Sequence, residues 1–248
     1  MGDERIMFVT TDGHTVKSYD EALARLRSQV MEMGGLVEDQ IARALKALDD
    51  EDVGAARDVV GRDHKINAME VKIDEECTQL LALRQPMAGD LRMIMVISKA
   101  VTDLERIGDE AQKIARMVVQ IYNSTSSSPS YRLFREVFSM GKLATNMLQG
   151  ALDALARQDV DKAMEVAQGD DDLDREFNSA MRHLSTYMME DARVIGHAVN
   201  VIFMVKALER IGDHAKNIAE YTIYLIKGKD VRHTGPGEAG DEARGEDD

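Results

Sequence analysis

Apolar residues recur at every third or fourth position along most of the 248-residue chain, and nowhere do they alternate with polar ones over a sustained run. That period belongs to amphipathic helices, not to half-buried strands. It predicts six long helices. The first, Leu23–Leu48, ends in the acidic cluster Asp49–Asp52, which supplies N-caps for a second over Val53–Leu83. Arg84-Gln85-Pro86 then breaks the period, since proline disfavours a helical residue before it. Asp90 is placed as the cap of a third helix, Leu91–Tyr122. A second trio is expected over Tyr131–Ala156, Val160–Glu190 and Ala192–Lys227, with Asp191 as the cap at its last break. Residues 1–18, the Ser-rich stretch 123–130 and the Gly/Asp/Glu-rich tail 228–248 lack the period and are expected to be disordered or linking.

The two trios repeat one another. Leu104–Arg116 and Leu208–Glu220 share nine of thirteen positions, beginning with Leu-Glu-Arg-Ile-Gly-Asp in both. Ala44–Val59 and Ala151–Val166 share eight of sixteen, but the offset there is 107 rather than 104, so the second copy lacks three residues in between. Such a deletion is expected in a turn. The expected architecture is all-α, a tandem of two antiparallel three-helix bundles over 19–122 and 131–227.

Composition narrows the class. A lone Cys77 cannot form an internal disulfide, which suits a reducing, cytoplasmic setting. No apolar run approaches the 18 or more residues of a spanning helix, and Met1–Thr10 has no apolar secretion core. A net charge of −14 would repel nucleic-acid phosphates, so no nucleic-acid partner is expected. With the tail set aside, the body still carries about −10.

Some of that charge stands where an ordinary solvated face does not put it. Glu105 and Asp109 are four apart, as are Glu209 and Asp213, so each pair shares one helical face. Taking Leu104 as zero, Glu105 lies near 100° and Asp109 near 140°, beside the apolar stripe, while Arg106 lies near 200° on the far side. Counting back through the hairpin puts Glu105 and Asp109 level with about residues 64–70, where Asp63, Asn67 and Glu70 stand. The second copy offers Asp170 and Asp174 opposite Glu209 and Asp213. Oxygen ligands facing one another across bundle helices suit hard ions and can also hold iron. On this geometry Glu105, Asp109, Glu209 and Asp213, with Asp63, Asn67, Asp170 and Asp174 opposite, are candidate ligands, the alternative being solvated faces of an acidic helical protein. The expected cofactor is a carboxylate-bound divalent or iron-type ion (Mg²⁺, Mn²⁺, iron or Zn²⁺).

Gly108 and Gly212, each one residue before the second aspartate, signal either close helix approach or room for an ion. Most of the sixteen methionines read as core filler. His214 is placed facing solvent or a partner. No histidine follows a glutamate by three residues, so the Glu-x-x-His element of di-iron bundle enzymes is absent. Phosphate loops, nucleophile elbows and zinc-protease motifs are absent as well, and no catalytic residue is assigned.

The doubled Leu-Glu-Arg-Ile-Gly-Asp, the upstream Gln85-Pro86-Met87-Ala88-Gly89-Asp90-Leu91-Arg92 and the two-copy plan resemble the PhoU family over about residues 20–227. The resemblance implies a non-enzymatic negative regulator of the phosphate-starvation response. Such a protein binds metal through Glu105, Asp109, Glu209 and Asp213, and couples the ATPase subunit of a phosphate ABC transporter to a sensor histidine kinase. It further implies a cytoplasmic homodimer that meets the membrane only through its partners. A metal-dependent bundle enzyme and a metal-free helical interaction module stay open as alternatives. The second copy departs from the family pattern at Ala192-Arg193-Val194-Ile195, where the Gln-Pro stretch has no counterpart.

Overall fold

The computed structural model describes residues 17–83, 86, 88–123 and 130–228. The disorder expected for 1–16 and 229–248, and most of the Ser-rich stretch, lies outside them. Among the described residues seven helices follow in order: α1 Lys17–Asp49, α2 Val53–Arg62, α3 His64–Leu83, α4 Ala88–Asn123, α5 Arg135–Arg157, α6 Val160–Glu190 and α7 Ile195–Lys227. Short 3-10 turns, Tyr131–Phe134 and Ala192–Val194, lead into α5 and α7. The described residues contain no strand, as the helical period requires.

The caps explain where these helices begin. Asp52 accepts a hydrogen bond from the Ala55 amide at 2.9 Å, and its aligned partner Asp159 accepts from Lys162 at the same distance. Asp191 accepts from the Arg193 amide at 2.9 Å. Each satisfies an amide that a helix start would otherwise leave open. Asp90 is not a cap, because α4 already begins at Ala88 and Asp90 sits in its first turn, where a carboxylate still complements the helix dipole. At the other boundary Lys17 and Ser18, expected to be unstructured, are the first residues of α1. The three-residue deletion falls between helices. Four residues separate α3 from α4, whereas Asp191 alone separates α6 from the turn that follows.

The second helix of the first trio is not continuous, as the period over Val53–Leu83 suggested; it breaks at Asp63. The backbone there stays right-handed helical, φ −54° and ψ −34°, so what is lost is hydrogen bonding, not direction. Side chains compete for the carbonyls just before the break. Gln112 Nε2 donates to the Val60 carbonyl at 3.1 Å, and the His64 ring lies 2.8 Å from the Gly61 carbonyl. Side chains that occupy backbone acceptors weaken the helical ladder. In the second copy α6 runs unbroken through the aligned Asp170.

α1 to α4 pack together, α5 to α7 pack together, and α4 joins α7 across a long antiparallel seam, with α1 also touching α5. Arg210 of α7 reaches Glu110 of α4 at 3.2 Å, and Lys99 near the start of α4 lies over the rings of Tyr221 and Tyr224 near the end of α7. Leu104, Ile107, Ala111, Ile114 and Ala115 are fully buried, and so are their aligned counterparts Leu208, Ile211, Ala215, Ile218 and Ala219. Burying each leucine or isoleucine contributes about 1.5–3 kcal/mol. The third helix of each copy is thus the central element, and its half-buried edge carries the paired carboxylates.

Candidate functional site

The two acidic edges occupy matching places but are not built alike. In the first, antiparallel packing of α2 and α3 against α4 sets Asp63 and Glu70 within range of Asp109 and Glu105. Asp63 is buried, and its Oδ1 accepts from Gln40 Nε2 at 3.0 Å. The same amide donates to the Gly108 carbonyl at 3.0 Å, so α1 ties both walls of the site together. Asn67 Oδ1 is buried with no hydrogen-bond partner.

Burial first, and then neighbouring carboxylates, pushes three acids up from their ordinary values. Glu105 feels Asp109, Glu70 and Asp63, opposed by Arg106, which is thus within range of the acids and not turned away from them; Asp109 feels Asp63, opposed by Lys113 and Arg116; Glu70 feels Asp74 and Asp109, opposed by Arg106. Each acid is therefore held where its charged form is disfavoured.

In the second edge, burial followed by the charges of Glu209 and Asp170 pushes Asp213 up to about 6. Asp174 is raised by burial and then by Asp170 and Glu209. Here, however, two carboxylates have cation partners. Lys216 Nζ lies 2.6 Å from Asp170 Oδ2, and Lys206 Nζ lies 2.5 and 2.7 Å from the two oxygens of Glu209. Lys206 also lies over the Phe177 ring, 5.4 Å from its centroid. The positions aligned with Lys206, Lys216 and Phe177 in the first copy are Thr102, Gln112 and Glu70. Both edges therefore bring the expected residues into mutual electrostatic range. Among the described residues, no three Asp, Glu, His or Cys side chains form a ready-made metal cluster.

The first edge nevertheless fits a hard cation. It offers oxygen donors from Asp63, Asn67, Glu105 and Asp109, with Glu70 alongside, and the unpartnered Asn67 Oδ1 is an acceptor that a cation or a hydrogen-bond donor would satisfy. The glycines serve packing. A Cβ on Gly108 would stand 3.1 Å from Ile66 Cδ1, and one on Gly212 would overlap Leu173 Cδ2.

Gln40, Gln112, Lys206 and Lys216 were missed by sequence reasoning. Aligning the repeats would have exposed the two lysines as departures from Thr102 and Gln112. Gln40 lies on a distant helix and left no local signal. His214 differs from its expected placement: it is buried on the α4–α7 seam, 2.7 Å from Asp103.

A duplicated helical bundle with an acidic edge on the central helix of each copy defines the class. The profile of the PhoU domain matches residues 30–118 and 137–222, and the chain belongs to the PhoU family. It is 51% identical over 222 residues to the phosphate-specific transport system accessory protein PhoU homolog of Pseudomonas aeruginosa, covering 90% of each chain. It is 41% identical over 222 residues to the accessory protein PhoU of Escherichia coli, again over 90% of each. The crystal structure of PhoU from Pseudomonas aeruginosa superposes with a TM-score of 0.80 at 51% identity, over 85% of this chain and all of that one. The phosphate transport system regulatory protein PhoU from Streptococcus pneumoniae gives 0.77 at 31% identity, over 86% and 99%. These relatives are named as accessory and regulatory proteins, not enzymes. No helix among the described residues is long and apolar enough to cross a membrane.

Proposed function

We propose that this chain is a cytoplasmic, homodimeric negative regulator of the phosphate-starvation response, an adapter between the ATPase subunit of a phosphate ABC transporter and a sensor histidine kinase. The observation that supports this reading best is the likeness, over nine-tenths of the chain, to accessory proteins of phosphate-specific transport. The adapter meets the membrane through its partners.

The fold is further proposed to carry a divalent or iron-type ion. Asp63, Asn67, Glu105 and Asp109 would hold it in the first copy, and Asp170, Asp174, Glu209 and Asp213 are the corresponding residues of the second. When bound, the ion supplies positive charge that relieves repulsion among the raised acids. The chain's own part is to present those oxygens from opposed helices, with Gln40 fixing Asp63 against the Gly108 turn.

Deleting the gene and reading a phosphate-starvation reporter in phosphate-rich medium tests the regulator. Derepression that the intact chain reverses is expected. A reporter that stays silent without the chain would overturn the reading.

A further inference from the structure

Among the aligned positions at which the two acidic edges differ, three act against a bound cation, while a fourth, Asn67 to Asp174, adds a carboxylate. Thr102 becomes Lys206, Gln112 becomes Lys216, and Glu70 becomes Phe177. The first edge is braced by neutral amides: Gln40 donates to Asp63, Gln112 donates away from the acids to the Val60 carbonyl, and the Thr102 hydroxyl is spent on the Ser98 carbonyl. The second is braced by ammonium groups, one on Asp170 and one on both oxygens of Glu209. We infer that the second edge is closed by its own cations, Lys206 and Lys216, and that a divalent ion is taken up at the first edge alone.

Three observations carry this. A hard ion at the second edge would need Asp170 and Glu209, whose oxygens already meet an ammonium at hydrogen-bond distance. Those ammonium groups are tethered to α7 itself, so their local concentration is fixed by the helix and does not dilute. The donor set is rearranged as well: Phe177 stands where the first edge has Glu70 and Asp174 where it has Asn67, and the Phe177 ring supports the Lys206 head. Met147 replaces Gln40, so nothing on α5 matches the amide that orients Asp63. Phe177 and the two lysines thus act together: the carboxylate lost at Phe177 is regained at Asp174, and two positive charges are supplied.

The inference rests on metal binding in the first copy, and its test separates the two claims. Metal-stripped protein is equilibrated with Mn²⁺, and bound metal is read by electron paramagnetic resonance and elemental analysis, with thermal melting alongside. The proteins are wild type, Glu105→Gln, Glu209→Gln, and Lys206→Thr/Lys216→Gln, which gives the second edge the residues of the first. Lys216→Gln alone serves as the milder variant, and circular dichroism checks folding.

The expected result is one class of uptake in wild type that Glu105→Gln abolishes and Glu209→Gln leaves intact. The lysine variant should add a second class, with affinity at that edge rising by about tenfold or more, the scale on which groups around a site tune metal affinity. Equal losses in the two glutamine variants would overturn the inference while leaving metal binding in place. A lysine variant with no added uptake would also overturn it. Uptake by the lysine variant but not by wild type would uphold the lysine closure and sink metal binding at the first edge.

Discussion

His214 Nδ1 lies 2.7 Å from Asp103 Oδ1 across the seam between α4 and α7, both side chains are buried, and Asn217 Nδ2 approaches the same oxygen at 3.3 Å. The pair is a buried polar latch in a seam that also carries the Arg210–Glu110 ion pair. His214 Nε2 is itself buried without a partner, so the ring depends on Asp103 for its one side-chain bond. Asp103→Ala is expected to cost about 1–3 kcal/mol by leaving the ring unsatisfied. A urea titration checks this through a lower midpoint at unchanged slope. Asp103→Leu/His214→Met, which removes both polar groups, should recover most of the loss.

Acidity at the second edge predicts a pH dependence with a definite sign. The Asp213 carboxyl is raised from 3.8 to about 6, so the folded state holds its proton more tightly than the unfolded chain does. Its contribution to stability is fully present below about pH 4 and is lost as pH rises through about 6. In metal-free protein Asp213→Asn should therefore raise the melting temperature at pH 7.5 by more than at pH 5. An equal gain at both values would contradict the assignment.

Matching glycines predict unequal outcomes. Gly108→Ala gains helix propensity, about 1 kcal/mol, against a 3.1 Å approach to the flexible end of Ile66. Its stability should stay within about 1 kcal/mol of wild type. Gly212→Ala drives a methyl into Leu173, which is 1% exposed and has little room to yield. Overpacking of that kind costs about 1–3 kcal/mol, so chemical denaturation should rank Gly212→Ala clearly below Gly108→Ala.

Gln40 bridges three helices with one amide. Gln40→Leu leaves Asp63 Oδ1 and the Gly108 carbonyl without that donor, a loss of about 1–3 kcal/mol. Hydrogen exchange should show faster opening around the Asp63 break and unchanged protection in α5 and α6. Uniform loss of protection across the chain would argue against a local role.

Helices were legible because each has a repeating apolar edge and a chemical start signal. The Asp49–Asp52 cluster and Asp191 could be read as caps from their positions alone, whereas Asp90 could not, and the changed repeat offset located a shortened connection. The Asp63 break was not legible, because it arises from Gln112 on α4 and the His64 ring, and periodicity describes one helix at a time. The same limit hid the acidic edges' inequality. A pair such as Glu209 and Asp213 reads identically to Glu105 and Asp109 until the lysines on the same face and the opposing Phe177 are set in place. His214 was misplaced for a related reason: an angle on one helix cannot show that a second bundle covers that side.

The Asp103–His214 latch bears on how the doubled chain came to need both halves. Its counterparts by repeat alignment are Ala207 and Glu110, so the seam is chemically one-sided although the helices that form it are alike. If the first half were produced alone and paired with itself along α4, Asp103 would be set against Glu110 of the second copy, two buried like charges with no histidine between them. The histidine that meets Asp103 is carried only by the second half, so a lone first half pairing along this face would lack that partner and would rely on Arg106 and Lys113 to offset Glu110.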